Sequence, residues 1–102
     1  MSYAQIVNVA GHSVFRERCR YAFVKAMISI LNGTPSAGQI AYGKEVLQGT
    51  ASVDAMVWAV LSNSTIAATI AANPGDGGVS VADSDMDFQV ASAIPAFIAA
   101  GA

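Results

Sequence analysis

The apolar residues of this 102-residue chain recur at the three-and-four spacing that marks one face of an α-helix. The clearest stretch is residues 13–31, where Ser13 is the expected N-cap. Asn32-Gly33 marks its end, because both residues tolerate positive φ. Its apolar stripe is formed by Phe15, Cys19, Ala22, Phe23, Ala26 and Ile30. The pattern predicts that this is the strongest helix of the protein.

A second helix follows with weaker signals. Thr34-Pro35 matches a cap followed by a first helical residue and predicts a helix that runs to Gln48. Gly38 and Gly43 lie inside this segment, and each weakens a helix by about 1 kcal/mol relative to alanine.

A third helix is predicted over residues 52–61, with Thr50 or Ser52 as its cap. The polar run Ser62-Asn63-Ser64 either ends this helix or forms a weak joint in a longer helix that ends at Ala72. The periodicity leaves both alternatives open.

The last third of the chain begins with a loop at Asn73–Gly78, where nothing favours a helix or a strand. A final helix is predicted over residues 84–94, with Asp83 and Asp85 placed where a helix start favours negative charge. Pro95 removes a backbone donor and is expected to kink or end this helix.

Strand signals are poor, since only Val79-Ser80-Val81 alternates in the manner of a β-strand. We therefore predict an all-α, bundle-like fold in which residues 1–102 form a single domain of four or five helices. Length supports one domain, because a chain this short rarely divides.

Charge is distributed unevenly along the chain. The formal net charge is −2, but residues 1–34 are basic and residues 71–102 are acidic. The basic side chains of the first part are Arg16, Arg18, Arg20 and Lys25, and the acidic ones of the last part are Asp76, Asp83, Asp85 and Asp87. This separation of basic and acidic residues predicts contact between opposite ends of one fold or between neighbouring copies.

Location and membrane association follow from composition. The single cysteine excludes an intramolecular disulfide framework, and Met1–Gln5 lacks the features of a signal peptide, so assembly in a reducing cytoplasm is expected. The most apolar stretch, Ala55–Gly75, contains a polar interruption that argues against a membrane span.

No arrangement of residues predicts catalysis, a metal or a cofactor. His12 and Cys19 lie two helical turns apart, about 10 Å, which is too far for a catalytic pair. The acidic run that starts at Asp83 lacks the glycine and glutamate of a calcium-binding loop, since Phe88 and Ile94 occupy those positions. We expect the protein not to be an enzyme.

The basic helix suggests nucleic-acid binding as one alternative. At about 100° per residue, however, Arg16 and Arg20 share one side of the helix while Arg18 and Lys25 share nearly the opposite side. A helix that reads a duplex gathers its basic residues on one face. The sequence therefore allows contact with nucleic acid without predicting a specific site.

Excess apolar surface is the more informative feature. Tyr21, Val24 and Ile28 form a second line opposite the core stripe, which predicts either a central buried helix or a partner interface. The uncharged end of the chain adds to this, and residues 95–102 are a candidate partner-docking tail. The expected docking residues there are Ile94, Phe97 and Ile98, and we expect Asp83, Asp85 and Asp87 to pair with Arg16, Arg18 and Arg20 of an adjacent copy.

The acidic cap and apolar helix over Ser84–Ile94, the preceding loop and the alanine- and valine-rich composition resemble the C-terminal part of small helical virion proteins of tailed bacteriophages. That group includes head–tail connector or neck adaptor proteins and minor capsid-associated proteins. The resemblance implies a structural subunit of the virion, assembled in the host cytoplasm, whose partners are copies of itself and other virion proteins. A small nucleic-acid-associated regulator that uses residues 16–25 is the alternative.

Overall fold

The computed structural model describes residues 12–73 and 76–101, which contain five α-helices and no strand. The helices are α1 (His12–Leu31), α2 (Ala37–Gln48), α3 (Val53–Leu61), α4 (Ser64–Ala72) and α5 (Asp83–Gly101). The prediction of an all-α single domain of four or five helices is confirmed.

The boundaries of the first helix differ in detail from those predicted. Helix α1 already includes His12, so Ser13 lies within it and is not its cap. The helix ends at the predicted place, but neither Asn32 nor Gly33 has positive φ. The end is closed instead by the Asn32 N–H, which donates to the Ile28 carbonyl at 3.0 Å.

Helix α2 begins two residues later than Pro35, because Ser36 is the residue that caps it. The Gln39 N–H donates to Ser36 Oγ at 3.2 Å, and the Ser36 N–H donates to Gln39 Oε1 at 2.7 Å. This reciprocal capping box satisfies two backbone donors at once. Gly49 ends the helix with φ +79°, a left-handed conformation that glycine adopts without steric cost.

The polar run after α3 separates two helices rather than joining them. Asn63 Oδ1 accepts the Ile66 N–H at 3.0 Å and so begins α4. Helices α3 and α4 are bent by 87° at this break. Among the described residues no single helix meets the length and apolarity of a membrane span, and only the bent pair of α3 and α4 meets them together.

The loop that precedes α5 is drawn tightly against α1. Gly78 has φ +84°, and a Cβ atom there would lie 2.4 Å from Phe15 Cδ2. Asp76 closes the turn by accepting the Gly78 N–H at 2.9 Å and the Ser80 hydroxyl. These hydrogen bonds, that of the Ser80 hydroxyl foremost, lower the pKa of Asp76.

Helix α5 does not end at Pro95 but continues to Gly101, so of the two expected outcomes, a kink or an end, the end is wrong. Proline removes the N–H that would bond the carbonyl of Ala91. Both Ala91 and Pro95 are exposed, so water can solvate that carbonyl and the helix tolerates the interruption.

Helices α1, α2 and α5 form one layer, in which α2 and α5 pack on opposite flanks of α1 and approach each other where Gly38 near the start of α2 lies beside Ile98 near the end of α5. Helix α5 runs parallel to α1, since Arg18 pairs with Asp83 and the later Lys25 pairs with the later Asp87. Helix α2 runs in the opposite direction on the other flank of α1. Gly49 at its end lies beside Arg20, and a Cβ atom there would be 3.1 Å from Arg20 Nη2.

Helix α3 packs against α1 and α5 on the inner side of this layer and completes the core. The largest fully buried side chains are Phe15, Phe23, Met27, Met56, Met86, Ile94, Val46, Val57, Val60, Val90 and Cys19. Gly43 allows α2 to approach α1 closely, because a Cβ atom there would lie 2.9 Å from Leu31 Cδ1. The glycine that weakens α2 as an isolated helix therefore permits its packing.

Candidate interaction surface

The side of the three-helix layer that faces away from α3 carries an unusual share of the exposed apolar side chains. We call this side the outer face. On α1 it is formed by Val14, Tyr21 and Ile28, which recur every seven residues and therefore lie on one line. That line is about 180° from the buried Cys19, which points into the core.

Helix α5 contributes Phe88 to the outer face. Asp87 points toward α1, where it accepts from Lys25 Nζ at 2.7 Å, and Met86 points into the core. Each further residue rotates by about 100° in the same direction, so Phe88 points outward.

Helix α2 contributes Ile40 and Leu47, with Lys44 between them. Gly43 faces α1 and Val46 faces the core. At about 100° per residue, the side of α2 opposite Val46 carries Ile40, Lys44 and Leu47. This side lies next to the outer face of α1.

The exposed fractions show how much apolar surface is concentrated here. Eight large apolar side chains are exposed among the described residues, and six of them belong to the outer face. Tyr21 is 70% exposed and Phe88 is 68% exposed, the two highest values in that group. Such clustering is typical of an interaction surface, whereas scattered exposed apolar residues need no explanation.

A groove of about 480 Å³ runs between α1 and α5 beside this surface. Val14, Tyr21 and Met86 supply apolar walls, and charged side chains line its rim. Lys25 Nζ lies 5.2 Å from the centre of the Tyr21 ring, a cation–π distance. Its hydrogen bond to Asp87 raises the pKa of Lys25 above its ordinary value.

The expected pairing of charges between copies is corrected by the structure, in which Arg16, Arg18 and Asp87 each have an ion-pair partner within the chain. Arg18 Nη2 lies 2.8 Å from Asp83 Oδ1, and Arg16 pairs with Asp54. The parallel packing of α1 and α5 is the physical reason, because it brings the basic start of one helix beside the acidic start of the other. Asp85 has no ion pair with any described residue.

Arg20 does not join an acidic partner of α5 either. Its guanidinium lies beside Gly49 at the C-terminus of α2. A cation is favourable there because the unpaired carbonyls at a helix end carry partial negative charge.

The C-terminal residues also depart from the expectation of a free docking tail. Ile94 is fully buried, and Phe97 and Ile98 are half-buried against the same core. Ile98 packs near α2, since a Cβ atom on Gly38 would lie 3.4 Å from Ile98 Cγ2. The continuation of α5 past Pro95 keeps these side chains on the core side of the helix.

Of the predicted second line on α1, Tyr21 and Ile28 are exposed while Val24 is half-buried against the core. The sequence did not single out Val14, Ile40, Leu47 or Phe88 as interface residues. The seven-residue spacing on α1 was a usable signal for Val14. The other three share a face with Tyr21 only because three separate helices pack side by side.

The groups considered for catalysis or metal binding do not form a site in the described part of the chain. Cys19 is buried, which raises the pKa of its thiol to about 12, so the reactive thiolate is scarce at neutral pH. The side chain of His12 lies outside the described residues. No group of three or more His, Cys, Asp or Glu side chains is close enough there to hold a metal ion.

Comparisons with models of protein families, with curated proteins and with solved structures found no match for this chain.

Proposed function

We propose that this protein is a non-enzymatic structural subunit that works in a multi-copy assembly, in the setting of a tailed-phage virion. The observation that carries the proposal is the clustering of six exposed apolar side chains on the outer face. The phage setting rests on the resemblance of the sequence around Ser84–Ile94.

The composition of the outer face suits a protein partner. Tyr21 and Phe88 are aromatic, and aromatic residues are enriched in the centres of interfaces, where charged residues are depleted. Val14 and Ile28 extend the apolar line on both sides of Tyr21 along α1. A helix with such a seven-residue repeat packs well against another helix.

The internal ion pairs make the nucleic-acid alternative less favourable. Arg16, Arg18 and Lys25 each face a carboxylate of the same chain, so their charge toward a phosphate backbone is largely neutralised. Binding to nucleic acid depends on unneutralised cations that displace counterions. We do not propose this function.

The test is the mass of the native protein as a function of concentration, by native mass spectrometry and light scattering. Wild type should form defined multimers. The double variant Tyr21→Lys with Phe88→Lys should raise the dissociation constant by at least about 30-fold, the effect of losing one interface hot spot of about 2 kcal/mol. Its helical circular dichroism should not change, because both side chains are mostly exposed.

Ala68→Lys is the matched control, since it adds a charge at an exposed position of α4, outside the three-helix layer. This variant should assemble as wild type does. A wild-type chain that stays monomeric at every concentration, or a double variant that assembles normally, would contradict the proposal.

In a phage, the protein should also be recovered from purified particles in a constant copy number.

A further inference from the structure

We infer that the outer face is covered by a second copy of this chain, related by a two-fold axis parallel to α1. In this pair Phe88 of each copy packs on Ile40 and Leu47 of the other, and Asp85 lies near Lys44 of the other. The inference rests on the proposed assembly and specifies its contact.

The positions of α2 and α5 across the layer support this pair. Helices α2 and α5 lie on opposite flanks of α1, at the sides that carry Arg20 and Arg18. A rotation of 180° about an axis parallel to α1 exchanges these flanks. It therefore places α5 of one copy over α2 of the other, in two equivalent contacts.

The positions of residues along the α1 axis, which this rotation does not change, also support the pair. Phe88 follows Asp87, which is held at the level of Lys25 by a 2.7 Å hydrogen bond. Leu47 lies between Gly43 and Gly49 on α2. A Cβ atom on Gly43 would lie 2.9 Å from Leu31 Cδ1 and 3.2 Å from Met27 Cε, and one on Gly49 would lie 3.1 Å from Arg20 Nη2. Leu47 is therefore at a level between Arg20 and Leu31, as Phe88 is beside Lys25, and the two side chains meet when the copies pair.

Charge complementarity also supports the parallel pair. Neither Asp85 nor Lys44 has an ion pair among the described residues, and both are exposed. The parallel pair brings them together beside Phe88. An antiparallel pair would instead stack α5 on α5 and α2 on α2, which keeps Asp85 away from Lys44 of the other copy.

The contact between the two α1 helices is consistent with the same arrangement. The rotation leaves positions along the α1 axis unchanged. Each of the residues Val14, Tyr21 and Ile28 therefore faces the same residue of the second copy, as at the repeating positions of a parallel helix pair. Glu17 and Arg18 lie at nearly the same height on opposite sides of the Tyr21 line. The rotation exchanges these sides and so places Glu17 toward Arg18 of the second copy.

The test is site-specific cross-linking between single-cysteine additions, Phe88→Cys and Leu47→Cys. Each variant carries only one added cysteine, so a disulfide between positions 47 and 88 can form only between two chains. Cys19 is fully buried and does not compete. A mixture of the two variants should form a covalent heterodimer, and each variant alone should stay unlinked.

Charge reversal tests the same contact without cysteines. Lys44→Glu and Asp85→Lys should each raise the dissociation constant about tenfold, since every dimer contains the contact twice. The combined variant should restore the wild-type affinity. Glu45→Lys is the control, because Glu45 is exposed on α2 but points about 100° away from Lys44.

The outcomes separate this inference from the proposed function. A wild-type chain that is monomeric at every concentration overturns both. A wild-type chain that assembles, but whose cross-links join two Phe88→Cys chains or two Leu47→Cys chains, overturns only the parallel two-fold pair. Failure of the combined charge variant to recover affinity overturns the contact between Asp85 and Lys44.

Discussion

Two residues of the core, Phe15 and Gly78, show how closely the loop and α1 are fitted. The Phe15 ring occupies the space that a Cβ atom on Gly78 would fill, and it is fully buried. The positive φ of Gly78 turns the chain toward α5 at the same point. One glycine thus serves both the turn and the packing, and any side chain there would meet the ring and strain the backbone.

Cys19 provides a prediction at the scale of a single residue. Its thiol lies in the same buried cluster as Phe15 and Phe23, and burial raises its pKa to about 12. At pH 8 the reactive thiolate is therefore almost absent in the native state. We expect a chromogenic disulfide reagent to react with Cys19 only when denaturant unfolds the chain.

The unfolded protein is the control for that measurement, since its thiol should react at the rate of a model peptide. Rapid labelling of the native protein at pH 8 would show that Cys19 is accessible and would revive a functional role for the thiol.

At the scale of elements, Arg18 connects α1 to the loop before α5. Its guanidinium donates to the Gly78 carbonyl at 2.7 Å, to the Val81 carbonyl and to Asp83. Asp83 is mostly exposed, so its ion pair is weak. The two carbonyls are the stronger partners, because both of these hydrogen bonds are part-buried.

We therefore predict that Arg18→Met lowers the free energy of unfolding by about 2 kcal/mol, the usual effect of losing hydrogen bonds to a charged group. Chemical denaturation measures this change, and hydrogen exchange should show faster exchange of the amides of residues 76–82. Lys25→Met is the matched control, since it removes a cation of the same helix whose ion pair is exposed. Equal stability of the Arg18 variant and wild type would show that the loop does not depend on this contact.

At the scale of the whole molecule, the end of α5 belongs to the domain itself. Ile94 is fully buried, and Phe97 and Ile98 cover the core beside it. This placement reverses the expectation of a tail that docks into a neighbour. The apolar surface available to a neighbour lies on the outer face instead.

Deletion of residues 94–102 should consequently destabilise the monomer. Burial of a large apolar side chain contributes about 1.5–3 kcal/mol, and the deletion removes one fully buried side chain and two half-buried ones. We expect a loss of roughly 3–6 kcal/mol, enough to unfold a marginally stable small domain. Thermal denaturation by circular dichroism measures it. A truncated chain that keeps its stability and loses only its assembly would restore the docking interpretation.

Much of the fold could be predicted from the sequence by itself. The periodicity of residues 13–31 places Phe15, Cys19 and Phe23 on one buried stripe, and each is fully buried in the structure. Ser52 caps α3 as one of the two residues proposed for it. These features are local, because they depend on the helical repeat and on side chains that bond backbone groups three residues away.

Only the tertiary structure decided which partners the charges have, where the chain end lies and which residues form the outer face. The sequence shows that α1 is basic and α5 acidic, but the parallel packing of these helices is what pairs Arg18 with Asp83 inside one chain. Tyr21, Leu47 and Phe88 belong to three helices, and no spacing along the chain relates one helix to another. Their common exposure follows from the order and direction in which the helices pack, which is determined by long-range contacts such as the approach of α2 at Gly43.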